Sequence, residues 1–265
     1  MASAASPAPA NSFARFTGSP YLVALAATCL FILVGSLIFP KESDVAVFLF
    51  DYSAKSLFGR VYPVSIQNAT YIMFALGVAD LWVRFKAAQR EESYLRKDLL
   101  PEGDEVLNIS ELGPIRRKVA ALEAPEDAFL PQLVDESILQ LTNSKSLEQT
   151  VSIYTSLLEL ITHRLDLAYQ TIRYLVWIIP TTGFIGTVVG IAISLEGLAG
   201  GAGKIDIDKV AAGLKVSFYT TIVALVLSAV LVLFQNIVQR REEGALNRAA
   251  KYCLQNLINR VYTGK

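Results

Sequence analysis

The sequence has one histidine, two cysteines and few charged side chains. A site built from several histidines is therefore excluded, and Cys29 and Cys253 belong to no metal-spaced cluster and predict no disulfide framework. Only 18% of the residues are charged, against about a quarter in soluble proteins, and the formal net charge is zero, so no nucleic-acid-binding surface is indicated. A phosphate-binding Gly-Lys-Ser/Thr loop and a nucleophile–base pairing are absent as well, which argues against an enzyme.

Apolar residues make up 53% of the chain and collect in four long runs that are nearly free of charge. Because a membrane-spanning helix needs roughly 20 apolar residues, each run is long enough to cross a bilayer. The predicted spans are residues 21–39, 61–83, 174–196 and 213–239. Gln67 and Asn68 weaken the start of the second run, and the first continues too far beyond Cys29 for a cleaved signal peptide.

The connecting segments complete the predicted organisation. Most basic residues near the spans fall on one side when both termini are cytoplasmic, so this orientation is predicted. The segments are a flexible lead at 1–20, an outer segment at 40–60, a cytoplasmic helical domain at 84–173, an outer loop at 197–212 containing glycines 200, 201 and 203, and a cytoplasmic helix at 240–265. The predicted fold is an all-α membrane protein with four transmembrane helices, a helical cytoplasmic domain between spans two and three, and long helices extending into the cytoplasm.

Two of these segments carry finer predictions. The apolar stretch 45–50 of the outer segment is too short to cross the membrane and is interpreted as an interfacial helix. From Leu147 to Ala168, apolar residues recur at helical spacing, and neither glycine nor proline follows before Pro180. We therefore expect one long amphipathic helix that runs directly into the third span.

Spans three and four each carry a stripe of small or hydroxylated residues at helical spacing. The stripes are Gly183, Thr187, Gly190 and Ser194 in the third span, and Gly213, Ser217, Thr220 or Thr221, Ala224 and Ser228 in the fourth. Close helix packing accounts for the glycines and alanines. Thr182 and Ser228 are expected to bond carbonyls of their own helices. For Thr187 and Thr221, a polar path between helices and simple packing both remain open.

Ionisable side chains are missing from the centres of all four predicted spans. Asp80, Glu196 and Lys215 lie near span ends, where they are expected to reach water or headgroups. Because a conducting path normally needs an ionisable group at membrane depth, a proton or sodium site would have to use a carboxylate from another chain.

The two stripes lie in segments that resemble a known family. Residues 180–191, Pro-Thr-Thr-Gly-Phe-Ile-Gly-Thr-Val-Val-Gly-Ile, are similar to the Gly-Thr-Val-x-Gly span of the TolQ and ExbB proteins. Residues 212–227, which include Ser-Phe-Tyr-Thr-Thr-Ile-Val-Ala-Leu, are similar to the span that follows it. The chain thus resembles the MotA/TolQ/ExbB proton channel family, with motifs closest to TolQ and ExbB and a span count closest to MotA.

The resemblance implies a stator subunit in a bacterial inner membrane, embedded in lipid. Five copies would surround two copies of a single-span partner of the MotB, TolR or ExbD type, whose aspartate carries H⁺ or Na⁺, and no cofactor is expected. The implied ion path consists of Thr187, Thr221, Thr220 and Ser217. The residues expected to serve coupling and helix packing are Pro180, Gly183, Gly186, Gly190, Gly213 and Ala224. A passive membrane scaffold without ion conduction is the alternative.

Overall fold

The computed structural model describes residues 19–39, 44–50, 65–101, 106–122, 124–125, 127–198 and 205–262. Helices account for nearly all regular structure in these ranges, which confirms the predicted all-α class. They are α1 (Ser19–Ile38), α2 (Asp44–Phe50), α3 (Ile66–Leu95), α4 (Leu112–Ala120), α5 (Phe129–Ser144), α6 (Leu147–Ala168), α7 (Gln170–Leu198) and α8 (Ile207–Asn256). Most of the predicted lead and glycines 200, 201 and 203 of the outer loop lie outside the described residues.

Three helical stretches of the described chain are long and apolar enough to cross a membrane. They are Pro20–Ile38, Leu147–Leu198 and Ile207–Arg260. The chain is therefore a multi-pass membrane protein by length and composition. Helix α3 is 30 residues long but is not among the three, so a fourth span stays a prediction.

Helix α2 confirms the short helix predicted in the outer segment. Its Phe50 is fully buried, and the ring lies so close to Gly35 of α1 that a side chain at Gly35 would collide with it. Gln67 at the start of α3 donates from Nε2 to the Phe48 carbonyl at 2.5 Å. The polar start of α3 therefore provides a donor for the C-terminal turn of α2, whose carbonyls have no helical partner.

The chain divides into two compact units. The first comprises residues 1–81 and 171–235, and the second comprises residues 82–170 and 236–265. In the first unit, the Tyr21 hydroxyl donates to Asp80 Oδ1 at 2.6 Å, and Asp80 is only 8% exposed. The expectation that Asp80 reaches water or headgroups is therefore wrong for this chain, because α1 covers the carboxylate and provides it with a donor.

In the second unit, Glu91 of α3 caps the N-terminus of α5. The residue before α5 is Ala128, whose side chain cannot accept a hydrogen bond. Glu91 accepts from the backbone N–H groups of Phe129 and Leu130 at 3.0 and 3.2 Å. Burial raises the pKa of Glu91, and the two N–H donors offset part of that rise. A carboxylate from a distant helix therefore replaces the local cap.

The helix expected to run unbroken into the third span carries a one-residue turn at Tyr169, between α6 and α7, where the backbone keeps right-handed helical angles. Tyr169 is fully buried, and its hydroxyl donates to Glu242 Oε2 at 2.7 Å. Arg84 lies over the Tyr169 ring at 4.6 Å and donates from Nη2 to the Ala168 carbonyl at 2.5 Å. A side-chain donor thus binds the last carbonyl of α6, which explains a turn at a site without glycine or proline.

The predicted C-terminal helix over 240–265 is also shorter than expected. Helix α8 ends at Asn256, and a 3₁₀ turn, Ile258–Arg260, leads into a strand, β2 (Val261–Tyr262). This strand pairs in parallel with β1 (Leu107–Asn108). The Arg260 guanidinium donates to the Pro101 carbonyl, so contacts with a segment distant in sequence end the helix.

We predict that Glu91→Ala destabilises the protein by about 1–3 kcal/mol, because two buried N–H groups at the start of α5 lose their acceptor. Thermal unfolding in detergent measures the change. Glu159→Ala is the matched control, since Glu159 is an exposed carboxylate on α6. Equal melting temperatures for the two variants would contradict the capping role.

Candidate functional site

Helices α7 and α8 approach each other closely enough for their backbones to touch. A Cβ at Gly190 would lie 2.5 Å from the Gly213 carbonyl oxygen and 2.6 Å from the Ser217 nitrogen. A Cβ at Gly183 would lie 2.5 Å from the Ala224 Cβ. Real Cβ atoms do not approach this closely, so the contact exists only because these positions carry hydrogen or methyl groups.

The close approach continues along the helix pair. A side chain at Gly186 would collide with Thr220. Near the connection between the helices, the Asp206 N–H donates to the Gly197 carbonyl at 3.0 Å, and Lys209 Nζ binds Glu196 Oε2 at 3.0 Å. The two predicted stripes therefore face each other as an antiparallel pair.

Thr187 and Thr221 meet at this contact, and their hydroxyl groups are hydrogen-bonded to each other. Both hydroxyls also lie near the same two carbonyls. Thr221 Oγ1 is 3.1 Å from Gly183 O and from Ser217 O, and Thr187 Oγ1 is 3.4 and 3.3 Å from them. Both threonines are half-buried in the isolated chain. The helix interface therefore does not fully enclose the two residues in the isolated chain.

The threonine pair keeps acceptor capacity after its own hydrogen bonds are made. Two hydroxyls carry two protons and four lone pairs. One proton bridges the pair, and the other is donated to a carbonyl, so three lone pairs stay available. A protonated carboxylic acid, a water molecule or a small cation can be bound through such oxygens.

The other two residues of the predicted ion path are more deeply buried. Ser217 and Thr220 are each only 1% exposed. The Ser217 hydroxyl donates across the interface to the Thr187 carbonyl at 3.0 Å, and the Thr220 hydroxyl donates to the Val216 carbonyl at 2.8 Å. Both side chains are enclosed in the packed interface, whereas Thr187 and Thr221 are half-buried.

The predictions for Thr182 and Ser228 had different outcomes. Thr182 donates to the Ile178 carbonyl of its own helix at 2.8 Å, as expected. Ser228 does not bond to its own helix in this way, because its hydroxyl donates to the Val176 carbonyl of α7 at 3.0 Å. Val176 lies four residues before Pro180. Because proline has no backbone N–H, this spacing in the sequence indicates that the Val176 carbonyl needs a donor from outside α7.

The MotA/TolQ/ExbB proton channel family matches the chain over residues 121–251. The chain belongs to this family. The matched range contains the whole of the contact between α7 and α8 from Pro180 to Ser228. None of the curated proteins compared with the chain matches it. Members of the family are channel-type proteins rather than enzymes, and they work with single-span partner proteins.

For a member of a proton channel family, the helix pair is notably poor in ionisable groups. Among the described residues of α7 and α8, no charged side chain lies in 174–195 or 216–239. The described residues also include no cluster of three or more histidine, cysteine, aspartate or glutamate side chains that could hold a metal ion. The site therefore offers hydroxyl and carbonyl oxygens but no carboxylate of its own.

We predict that Gly190→Ala destabilises the protein by about 1–3 kcal/mol, because the new methyl group would push the two backbones apart. Gly244→Ala in α8 is the control, since only the flexible end of Arg248 lies near that position, at 3.4 Å. Alanine there should be neutral or slightly stabilising. Thermal unfolding of both variants in one detergent tests this, and equal losses would refute the close-contact explanation.

Proposed function

We propose that the chain is the ion-channel subunit of a stator, which converts proton or sodium motive force into mechanical work. Five copies surround two copies of a single-span partner, and ions pass between the ring and the partner helices. The single observation that carries the proposal is the half-buried pair of Thr187 and Thr221, whose hydroxyl oxygens retain acceptor lone pairs at the α7–α8 contact.

The chemistry of this pair supports the need for a partner. A threonine hydroxyl can accept a hydrogen bond or bind a cation, but it does not take up a second proton at neutral pH. The middle portions of α7 and α8 bear no ionisable side chain, so the ion-carrying carboxylate comes from the partner's helix in this proposal. Threonine oxygens can line a path for H⁺ or for Na⁺, and the proposal covers both ions.

The proposal also assigns the membrane arrangement. The protein lies in a bacterial inner membrane with both termini in the cytoplasm, and α3 forms a fourth span beside the three apolar stretches. Two polar side chains of α3 that weaken its hydropathy have hydrogen-bond partners within the protein. Gln67 donates from Nε2 to the Phe48 carbonyl, and Asp80 accepts from the Tyr21 hydroxyl, which lowers the cost of placing α3 in lipid.

A passive scaffold is the second candidate, and one observation favours it. Thr187 and Thr221 have carbonyl acceptors in their own helix pair, so packing alone gives them partners. In that case the hydroxyls only strengthen the contact between α7 and α8, and no ion passes them.

We predict that the double variant Thr187→Val and Thr221→Val reduces ion-driven activity by roughly ten- to a hundredfold, the factor that corresponds to losing a hydrogen bond to a charged group. Valine keeps the shape of threonine and removes the hydroxyl. Ion uptake by vesicles that contain the chain and its partner measures the effect.

Thr28→Val is the matched control for that experiment. The Thr28 hydroxyl lies in α1 and donates to the Ala24 carbonyl of its own helix at 2.8 Å, so its removal should leave ion uptake unchanged. Full activity of the double variant in a well-assembled complex would rule out the ion path and favour the scaffold.

We also predict that the chain co-purified with its partner contains five copies of the chain and two of the partner. Contacts between unlike surfaces of neighbouring copies close into rings, whereas the small-residue faces of α7 and α8 already pack against each other within one chain. Native mass spectrometry from a gentle detergent gives the count. Monomers or dimers as the largest species would contradict the proposal.

A further inference from the structure

Pro180 removes one hydrogen bond from the middle of α7. Proline has no backbone N–H, so the carbonyl four residues earlier, that of Val176, cannot receive its usual helical donor. Within a membrane, an unpaired carbonyl is costly, and prolines in transmembrane helices are tolerated when a neighbouring side chain supplies the missing donor. The structure therefore has to provide a donor for the Val176 carbonyl from outside α7.

Ser228 of α8 provides this donor. Its hydroxyl lies 3.0 Å from the Val176 carbonyl oxygen, and the side chain is 7% exposed, so water does not compete for the bond. A serine in a helix ordinarily bonds a carbonyl of its own helix, where no partner helix is needed. Ser228 instead crosses the interface to the one carbonyl of α7 that the proline deprives of its donor.

The neighbouring carbonyls of α7 have local hydroxyl donors. Thr181 donates to the Trp177 carbonyl at 2.9 Å, and Thr182 donates to the Ile178 carbonyl at 2.8 Å. These two bonds lie within one helix and move with it. The bond from Ser228 differs, because it joins two helices and breaks when α8 shifts relative to α7.

We propose that Ser228 completes the hydrogen bonding of α7 at Pro180 and thereby fixes the position of α7 against α8 at the proline. Pro180 lies about two helical turns before Thr187, so the same bond positions Thr187 against Thr221. Ser228 is thus a positioning residue that touches no transported ion. Its effect on ion passage rests on the proposed function, whereas its bond to Val176 rests on the helix pair alone.

A double-mutant cycle, measured by thermal unfolding, tests the hydrogen bond from Ser228 to the Val176 carbonyl, which Pro180 leaves without a helical donor. Ser228→Ala should lower the melting temperature by about 2–5 °C in the natural sequence, in line with hydrogen bonds between membrane helices in a chain of this size. In a Pro180→Ala background, the backbone N–H of residue 180 supplies the donor, so the same substitution should have less than half of that effect.

Ser194→Ala is the control for the cycle. Ser194 is also a buried serine at the α7–α8 contact, and it donates to the Gly190 and Val210 carbonyls, neither of which lies four residues before a proline. Its effect should be the same in both backgrounds. An equal loss from Ser228→Ala with and without Pro180, or no loss in the natural sequence, would overturn the proposal.

Ser228→Thr retains the hydroxyl and tests the proposal even where Pro180→Ala does not fold. Threonine should keep the melting temperature close to that of the natural sequence, and equal losses for the alanine and threonine variants would overturn the proposal.

In vesicles with the partner, Ser228→Ala should reduce ion uptake by roughly three- to twentyfold, and threonine should restore it. Equal uptake in the alanine variant and the natural sequence would overturn the positioning of Thr187. An absence of uptake in the natural sequence would instead contradict the proposed function and leave the melting result to decide the bond.

Discussion

The close approach of α7 and α8 is the constraint on which the site depends. Lipid tails provide no hydrophobic drive that would press two apolar helices together, so association relies on tight packing and on hydrogen bonds between helices. Gly183, Gly190 and Gly213 remove the side chains that would separate the backbones. Only at this separation can short hydroxyl side chains reach across the interface. Ser217 then bonds Thr187, and Ser228 bonds Val176.

Much of this contact could be predicted from the sequence, because helical spacing alone decides which residues share a face. The stripes through Gly183 and Gly213 predicted the two faces that meet, and the family motif singled out Thr187 and Thr221. Spacing did not distinguish Thr220 from Thr221. Neighbours on a helix differ by about 100° in direction, and the position of Gly186 opposite Thr220 decides which of them is buried.

Features that depend on contacts between distant residues could not be predicted in this way. The sequence around Tyr169 continues a helical pattern, and the turn there follows from Arg84 and Glu242, which lie far away along the chain. The same holds for the end of α8, where β2 pairs with β1. Asp80 was misplaced for a related reason, since only the position of Tyr21 shows that the carboxylate is covered. Helical periodicity predicts which residues share a face of one helix. The turn at Tyr169, the end of α8 and the burial of Asp80 depend on contacts with other segments of the chain.

The cluster at the α6–α7 turn has an evolutionary consequence. Arg84 Nη1 lies 3.8 Å from Glu242 Oε2, and both side chains are largely buried. Loss of one partner of a buried ion pair typically costs about 3–5 kcal/mol, whereas replacement of both by apolar residues is often neutral. A lineage can therefore leave this arrangement only through a poorly stable intermediate or through two simultaneous changes. Positions 84 and 242 should accordingly change together among descendants of this sequence, although they are 158 positions apart along the chain.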